Sequence, residues 1–310
     1  MNHKVLNLLN RCHTLKDLKS LHSRLVIEGS VNSSDILLNK VLRFYFRYGE
    51  INYAHKLFDQ VPEPNAFLWT SMIHGYVENK KYGESFGMFR CMLGLSIPPL
   101  NFTVMSVLKA LARSGGLKEG EAVYGFVRKC GFGFDVMVQN AVIDLFMRCG
   151  EVDLARLVFD EMSEKDVVTW NSMISGYGNN GRVDVAHLDA AVNLLEAMPM
   201  HEVTTWNIIL LGFCKAHDLK SAKSYFGKMR CKNVASWTMM VDGYVKLGDL
   251  NEARLVFEEM PEKNLIAWST MIAGYAKNGQ PQRALELFVQ FKEQGIKPDA
   301  MKGVLSGVNI

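Results

Sequence analysis

The sequence predicts an all-α chain, a solenoid of helix-turn-helix repeats, and three observations carry that prediction. The first is a phrase that recurs. "TWNSMISGY" at 169–177 returns as "WTSMIHGY" from Trp69, "WNIILLGF" from Trp206, "WTMMVDGY" from Trp237 and "WSTMIAGY" from Trp268, which accounts for all five tryptophans. These tryptophans stand 101, 36, 31 and 31 residues apart. A period in the thirties is the signature of stacked repeats. The second observation is a small residue followed by apolar residues four and seven on, as in Ala155-Phe159-Met162, Ala222-Phe226-Met229, Ala253-Phe257-Met260 and Ala284-Phe288-Phe291. That spacing is one helical stripe, and its small residue lets a second helix come close. The third is the punctuation between stripes, "RCGEVD", "KLGDLN" and "KNGQPQ" within a unit and "MPEKN" or "IKPD" after it. Glycine, proline and capping residues at those places end one helix and begin the next.

Taken in order, the gap of 101 residues holds two further copies, "VLKALARSGGLKEGEAVYGFVRKCG" at 107–131 and "VQNAVIDLFMRCGEVDLARLVFDEM" at 138–162. Each unit is then helix, short turn, helix, turn. Two helices have too little apolar surface to fold alone, so neighbouring units must stack and bury it continuously. Trp170, Met173, Ile174 and Tyr177 are accordingly read as core of a first helix and its contact with the second, rather than as a cofactor box.

Composition agrees with a packed, soluble chain. Of 310 residues 48% are hydrophobic, ample for a buried core. A net charge of +3 is too mild by itself to argue for nucleic acid, so the placement of the charges has to decide. The six cysteines, Cys12, Cys91, Cys130, Cys149, Cys214 and Cys231, have no metal-ligand spacing and are expected to be reduced, mostly buried thiols. No apolar run approaches the roughly 18 residues of a membrane span, so no membrane partner is expected. The basic N-terminal stretch "MNHKVLNLLNRCHTLKDLKSLHSRLV" lacks a signal-peptide core and reads as repeat.

At "VVTWNSMISGYGNNG…AAVNLLEAMP" and "LIAWSTMIAGYAKNGQPQRALELFVQFKEQGIKPD" the pattern resembles the pentatricopeptide repeat family of plant organelles. The tetratricopeptide pattern fits less well, since its W-x2-L-G-x2-Y signature is absent. The resemblance implies one right-handed superhelical solenoid over residues 1–310. Its units fall at about 1–34, 35–65, 66–100, 101–135, 136–166, 167–202, 203–233, 234–264 and 265–299, with a partial unit at 300–310. The mixed unit lengths resemble the P, L and S repeats of the RNA-editing subfamily. Unit 167–202 departs from the pattern: Gly181 to Ala191 is ten residues where Gly150 to Ala155 is five. Five residues turn a helix by about 500°, which does not restore phase, so a longer loop or an extended helix is expected there.

The resemblance further implies that one base is read per repeat by two or three side chains. The base-reading residues are the fifth of a unit and its last. The pairs are Asn39 with Asn65, Thr70 with Leu100, Asn140 with Asp166, Asn171 with Glu202, Asn207 with Asn233, Thr238 with Asn264, and Ser269 with Asp299. A terminal Asp only accepts and suits a base with a ring N–H, U or G, whereas a terminal Asn donates to the bare ring nitrogen of C or A. An Asn at the fifth place leaves room for a pyrimidine, and Thr or Ser leaves room for a purine. From unit 35–65 onward the readout, 5′ to 3′, is C or U, two unassigned bases, U, a weakly specified pyrimidine, C or U, A and G. Helix capping would also explain small polar residues near a helix start, but gives no reason for matched residues at the unit ends.

The second residue of each unit would sandwich the bases: Ile36, Phe67, Phe102, Met137, Val168, Thr204, Ala235 and Ile266. Packing against the neighbouring unit is the competing role. Eight residues after the fifth stand Arg47, Arg113, Arg148, Lys215, Lys246 and Lys277, with Glu78 and Asn179 as exceptions. Such a stripe suits a tracked phosphate backbone, and it equally suits the negative end of a helix dipole.

No H-x-E with P-C-x-x-C pair, no P-loop, no Ser/His/Asp arrangement and no carboxylate cluster for a metal nuclease is present. No metal, cofactor or enzymatic activity is therefore expected. The sequence reads as a site-recognition factor that binds single-stranded organellar RNA for editing of C to U, or for processing, by a deaminase or other enzyme supplied in trans. The resemblance implies a mitochondrion, with the chloroplast as the alternative. A helical scaffold for a protein or peptide is the other reading of the same groove, and an intrinsic nuclease a third. The chain ends at Ile310 inside an L-type unit, which is read as a sign that the natural protein extends further.

Overall fold

The glycine of the recurring "GY" shows why these helices pack where they do. The protein is described here by a computed structural model covering residues 14–27, 35–179 and 185–294. Gly75, tenth in its unit, lies under the Phe46 ring, twelfth in the unit before, and any Cβ on it would overlap that ring. A Cβ on Gly243 would meet Cys214 Sγ at 2.9 Å, and one on Gly274 would meet Val245 Cγ1 at 2.7 Å. At these joints successive first helices touch through a notch where only glycine leaves room, whereas Ala110 and Leu145 take the tenth place in α6 and α8.

The helices in order are α1 (Leu15–Ile27), α2 (Asp35–Arg47), α3 (Ile51–Asp59), α4 (Ala66–Glu78), α5 (Tyr82–Gly94), α6 (Asn101–Ser114), α7 (Leu117–Lys129), α8 (Val136–Cys149), α9 (Val152–Glu161), α10 (Val167–Asn179), α11 (Val185–Ala197), α12 (Val203–Lys215), α13 (Leu219–Lys228), α14 (Val234–Leu247), α15 (Leu250–Glu259), α16 (Leu265–Lys277) and α17 (Pro281–Glu293). A 3₁₀ turn at Phe132–Phe134 precedes α8. Among the described residues there is no strand.

The chain divides into two compact units, Met1–Thr169 and Trp170–Ile310, with the division falling inside α10. In the first, α2, α4, α6 and α8 lie side by side in one layer, and α3, α5 and α7 each rest on their own first helix and the next. In the second, α12, α14 and α16 form the corresponding layer, backed by α11, α13, α15 and α17.

The expected stripe is the core. Ala54, Ser85, Ala155, Ala222, Ala253 and Ala284, each twentieth in its unit, are fully buried. Gly120 takes that place in 101–135, where a Cβ would lie 2.6 Å from Leu145. The tryptophans do more than hold a unit's own helices together. Phe58, Phe226 and Phe257 meet Trp69, Trp237 and Trp268 of the following unit edge to face, with centroids 4.9, 4.8 and 5.0 Å apart. Such pairs contribute about 0.5–1.5 kcal/mol beyond their buried area. On the same phenylalanines, or their equivalent Phe159, lies a lysine: Lys165, Lys232 and Lys263 sit 5.0, 5.1 and 5.4 Å from the rings of Phe159, Phe226 and Phe257. Each also donates to a carbonyl at the end of the second helix, Met162, Met229 or Met260.

The five extra residues of unit 167–202 are taken up in part by helix. α11 has 13 residues against 10 in α9, α13 and α15. It begins six residues before the small Ala191, where α9, α13 and α15 begin three before theirs. The remaining insertion falls in 180–184, outside the described residues. Packing recovers immediately, with Ala191, Leu195 and Met198 buried and Leu188 filling the notch over Gly212.

The cysteines correct an expectation. Of the described ones Cys91, Cys130 and Cys231 are exposed and Cys149 and Cys214 half-buried. They sit off the buried stripe, on outer faces and at helix ends. Cys12 lies outside the described residues. No described helix is long and apolar enough to cross a membrane.

Candidate nucleic-acid interface

The unit-end residues are helix caps. Asn65, Asn233 and Asn264 precede α4, α14 and α16, and each accepts with Oδ1 from the backbone N–H three residues on, that of Leu68, Ser236 and Ala267. Asp166 does the same for Thr169, at 2.8 Å. Capping therefore accounts for Asn and Asp at the unit ends without any ligand, contrary to the expectation that it could not. Leu100 and Glu202 occupy the same place without a side-chain cap.

The fifth residues lie one turn into the first helices, beside these caps. Asn140 Nδ2 donates to Asp166 Oδ1 at 3.1 Å, and Asn207 Nδ2 donates to Asn233 Oδ1 at 3.2 Å. Two of the expected pairs thus touch. In each, the acceptor oxygen that caps the helix also takes the bond from the fifth residue. Asp166 Oδ1 also accepts from Thr169 N and Oγ1, and Asn233 Oδ1 from Ser236 N and Oγ. The Asp166 carboxylate, which also takes a bond from the Val168 N–H, keeps acceptor capacity at Oδ2, and Asn233 Nδ2 is a donor without a partner among the described residues.

The other pairs whose two members are described are not bonded to each other. Asn39 Nδ2 donates to Phe67 O at 3.3 Å, while Asn65 Nδ2 donates to Asp35 Oδ2 at 2.6 Å. The hydroxyls of Thr70, Thr238 and Ser269 donate back into their own helices, to Ala66 O, Val234 O and Ile266 O. Asn171 Oδ1 accepts from Thr205 Oγ1 at 2.8 Å, whereas Glu202 Oε2 accepts from Thr204 Oγ1 at 3.2 Å, so this pair beside the insertion is held apart. Asp299 lies outside the described residues, as does the side chain of Asn179.

Sequence reasoning missed the residues that orient the fifth position. Thr103, Thr205 and Ser236, third in their units and fully buried, place their hydroxyls against Thr70, Asn171 and Asn207 of the unit before, at 2.6, 2.8 and 2.6 Å. Thr169 is equally buried but turns its hydroxyl to Asp166, leaving Asn140 Oδ1 buried and without a partner among the described residues. The signal was available as a capping box, Ser or Thr three residues after a unit end, whose hydroxyl also accepts from the cap's own N–H.

Asp166 has a carboxyl held below the ordinary carboxylate range. Burial pushes it the other way, but hydrogen bonds from Thr169 N–H and hydroxyl and from Asn140 outweigh that and hold the anion.

The second residues are exposed rather than packed against the next unit. Ile36, Phe67, Phe102, Met137, Val168 and Ile266 keep 52–67% of their surface, and Thr204 and Ala235 are exposed as well. Apolar side chains left in solvent at one repeating place are open to contact by a partner. Arg47, Arg113, Arg148, Lys215, Lys246 and Lys277 all lie in the last turn of their first helix and are exposed. Arg148 and Lys246 are paired with Asp144 and Asp242 one turn back, at 2.8 and 2.6 Å. Exposed pairs of this kind are worth little, so a phosphate can displace them. Among the described residues no group of three His, Cys, Asp or Glu is placed to hold a metal ion.

Family models for the PPR repeat match residues 67–97, 140–167, 164–199, 204–234 and 235–265, and one for the PPR repeat family matches 263–301. A pentatricopeptide repeat-containing protein of Arabidopsis thaliana is 37% identical over 172 residues, 56% of this chain and 25% of that protein. Another, named as mitochondrial, is 32% identical over 168 residues, 54% of this chain and 30% of its own length. The chain spans about a quarter to a third of the relatives it matches. Among solved structures, the pentatricopeptide repeat protein PPR10 from maize superposes with a TM-score of 0.71 at 18% identity, over 96% of this chain and 44% of that one. The same protein in complex with an 18-nt psaJ RNA element superposes with a TM-score of 0.68, over 94% of this chain and 45% of that one.

Proposed function

The chain belongs to the pentatricopeptide repeat family, and from that premise we propose that it binds single-stranded RNA, one base per repeat, along residues 1–310 acting as one array. It serves as a site-recognition factor in an organelle, the mitochondrion by the name of one relative. The mixed unit lengths support the editing subfamily, and a partner enzyme such as a cytidine deaminase performs the C-to-U change. The chain itself contributes recognition and no catalysis.

One observation carries the reading. At Asn140–Asp166 and Asn207–Asn233 the fifth and last residues are clamped to each other by one oxygen, which leaves an acceptor at Asp166 and a donor at Asn233. The acceptor suits the ring N–H of U and the donor the bare ring nitrogen of C, beside an Asn that leaves room for a pyrimidine. The maize relative crystallised with an RNA element shares this fold. The exposed second residues supply faces for the bases and the basic stripe supplies charge for the backbone.

A gel-shift titration against the read-out RNA and a scrambled RNA of the same composition tests it. The matched RNA is expected to bind at least about tenfold more tightly, the equivalent of one good base contact at about 1–3 kcal/mol. Equal binding to both sinks the base-reading. Asn233→Asp sharpens the test, because it should move the preference opposite unit 203–233 from C or U to U alone; an unchanged preference removes that pair from the reading.

A further inference from the structure

The basic stripe is not the whole of the positive charge on the first helices. In α2 two further cations, Lys40 and Arg43, share the side that carries Arg47, and α6 adds Lys109 to Arg113. Between α2 and α4 lies an open groove of about 560 Å³, lined among others by Lys40, Arg43, Arg47, Ser71, His74 and Asn79. Glu78, the one acid on its rim, is engaged by Lys109 at 3.4 Å. His74 is held below its ordinary value, first by burial and then by Lys109 and Arg43, against an opposing pull from Glu78. At the sixth, ninth and thirteenth places, units 35–135 carry five Lys or Arg and one acid, whereas units 203–299 carry three and one.

In units 66–100 and 101–135 the base-reading places are spent or apolar. Thr70 bonds both Ala66 O and Thr103 Oγ1, and its partner is Leu100. Unit 101–135 has Met105 in fifth place, and its last residue, Asp135, caps Met137 and Val138 with Oδ1 and accepts from Asn101 with Oδ2. These same two units display Phe67 and Phe102, each 65% exposed and the only aromatic side chains among the eight second residues. Strong stacking faces occur where the means of telling one base from another are missing, and the densest positive charge lies in the unit directly before them, with Lys109 and Arg113 behind. Stacking on aromatic faces tolerates any base, and phosphate contacts carry no sequence information.

We propose that residues 35–135 form a sequence-tolerant clamp for single-stranded RNA, with the groove between α2 and α4 as its phosphate seat, and that it holds the nucleotides 5′ of those read by later units. The clamp rests on the RNA-binding reading above but not on the base code. It assigns Lys40, Arg43 and Lys109 to phosphate binding and Phe67 and Phe102 to stacking without discrimination.

The test uses the full chain and three RNAs of equal length: the read-out sequence, one with the nucleotides opposite 66–135 replaced, and one with those opposite 136–264 replaced. Each is titrated against wild type and K40A/R43A at several salt concentrations, with circular dichroism to verify that the variant is folded. The first replacement should change affinity by less than about twofold and the second should weaken it at least about tenfold. K40A/R43A should weaken all three by one common factor and reduce the slope of log K against log salt by about 1.4, at about 0.7 per released counterion on a single strand. An unchanged slope in the variant overturns the clamp. So does a first replacement as costly as the second. Equal wild-type binding to all three RNAs with the variant effect intact overturns the base code and leaves the clamp standing. Polyglutamate competing as well as poly(U) would overturn the choice of RNA and make the groove a seat for an acidic protein.

Discussion

The two compact units are built from the same interior and differ on one face. In Met1–Thr169 the second residues are Ile36, Phe67, Phe102, Met137 and Val168; in Trp170–Ile310 they are Thr204, Ala235 and Ile266. Inside, both use a small twentieth residue, both lay a phenylalanine against a tryptophan, and both keep a glycine in tenth place. The interior is held constant by packing, which punishes any change of volume, while the exposed face is free to vary. Variation on that face is therefore where the proposed clamp and the proposed base-reading units differ.

The constant part of the comparison breaks most severely at the notch. Gly75→Ala drives a methyl into the Phe46 ring and should destabilise the first unit by about 2–3 kcal/mol, since overpacking outweighs the gain in helix propensity. Gly87→Ala, in a helix with nothing within 4 Å of the new methyl, should stabilise the chain by about 0.5–1 kcal/mol. Urea midpoints of the two variants measured side by side check both signs. If both glycines tolerate alanine equally, the notch does not set the helix spacing.

The variable part is sharpened by exchanging stacking residues between the units. Phe67→Ala should weaken RNA binding by about 1–2 kcal/mol whatever base is offered, and Ala235→Phe should strengthen it by about 1 kcal/mol. Fluorescence anisotropy with labelled RNA reads both. A loss at Phe67 that depends on the base opposite would contradict its sequence-tolerant role.

The smallest effect separates two joints of like geometry. Asp166 and Asn233 each cap the next helix and bind the fifth residue of their own unit, but only Asp166 titrates. Its carboxyl lies below the unfolded value of about 3.9, so its contribution is fully present above that pH and is lost as pH falls through the folded value. Urea midpoints measured from pH 5 downward should fall less steeply in Asp166→Asn, whose cap carries no charge. Identical acid profiles would mean that Asp166 is no better held folded than unfolded.

Much of this was legible in the sequence, because the repeat itself averages out local ambiguity. Five tryptophans in one phrase set the helix positions, and the i, i+4, i+7 stripe identified the buried side of the second helices. The placement of the cations in the last turn followed from counting residues. What stayed hidden depends on contacts between units. Nothing in the string shows that Thr103, Thr205 and Ser236 reach back to the fifth residue of the preceding unit, because that contact spans 29–34 residues and exists only after stacking. The caps at the unit ends were visible as residue types, yet their double duty, closing a helix and holding the fifth residue, required the turn geometry. The cysteines were misjudged because thiols at helix ends lie off the stripe that decides burial.

The lysine that lies on a phenylalanine at the end of units 136–166, 203–233 and 234–264 has a consequence for how such a chain can grow. Because the seams after Asn233 and Asn264 present the same fittings, a segment cut at those two seams and copied would find on both sides the neighbours it left. A tandem duplication of 31 residues from Val234 would lengthen the protein without opening its interior, and on the proposed reading of one base per repeat the footprint on RNA would lengthen by one nucleotide. The chain is in that respect a text whose words share an ending, so that editing it at word boundaries leaves the grammar intact while the message changes.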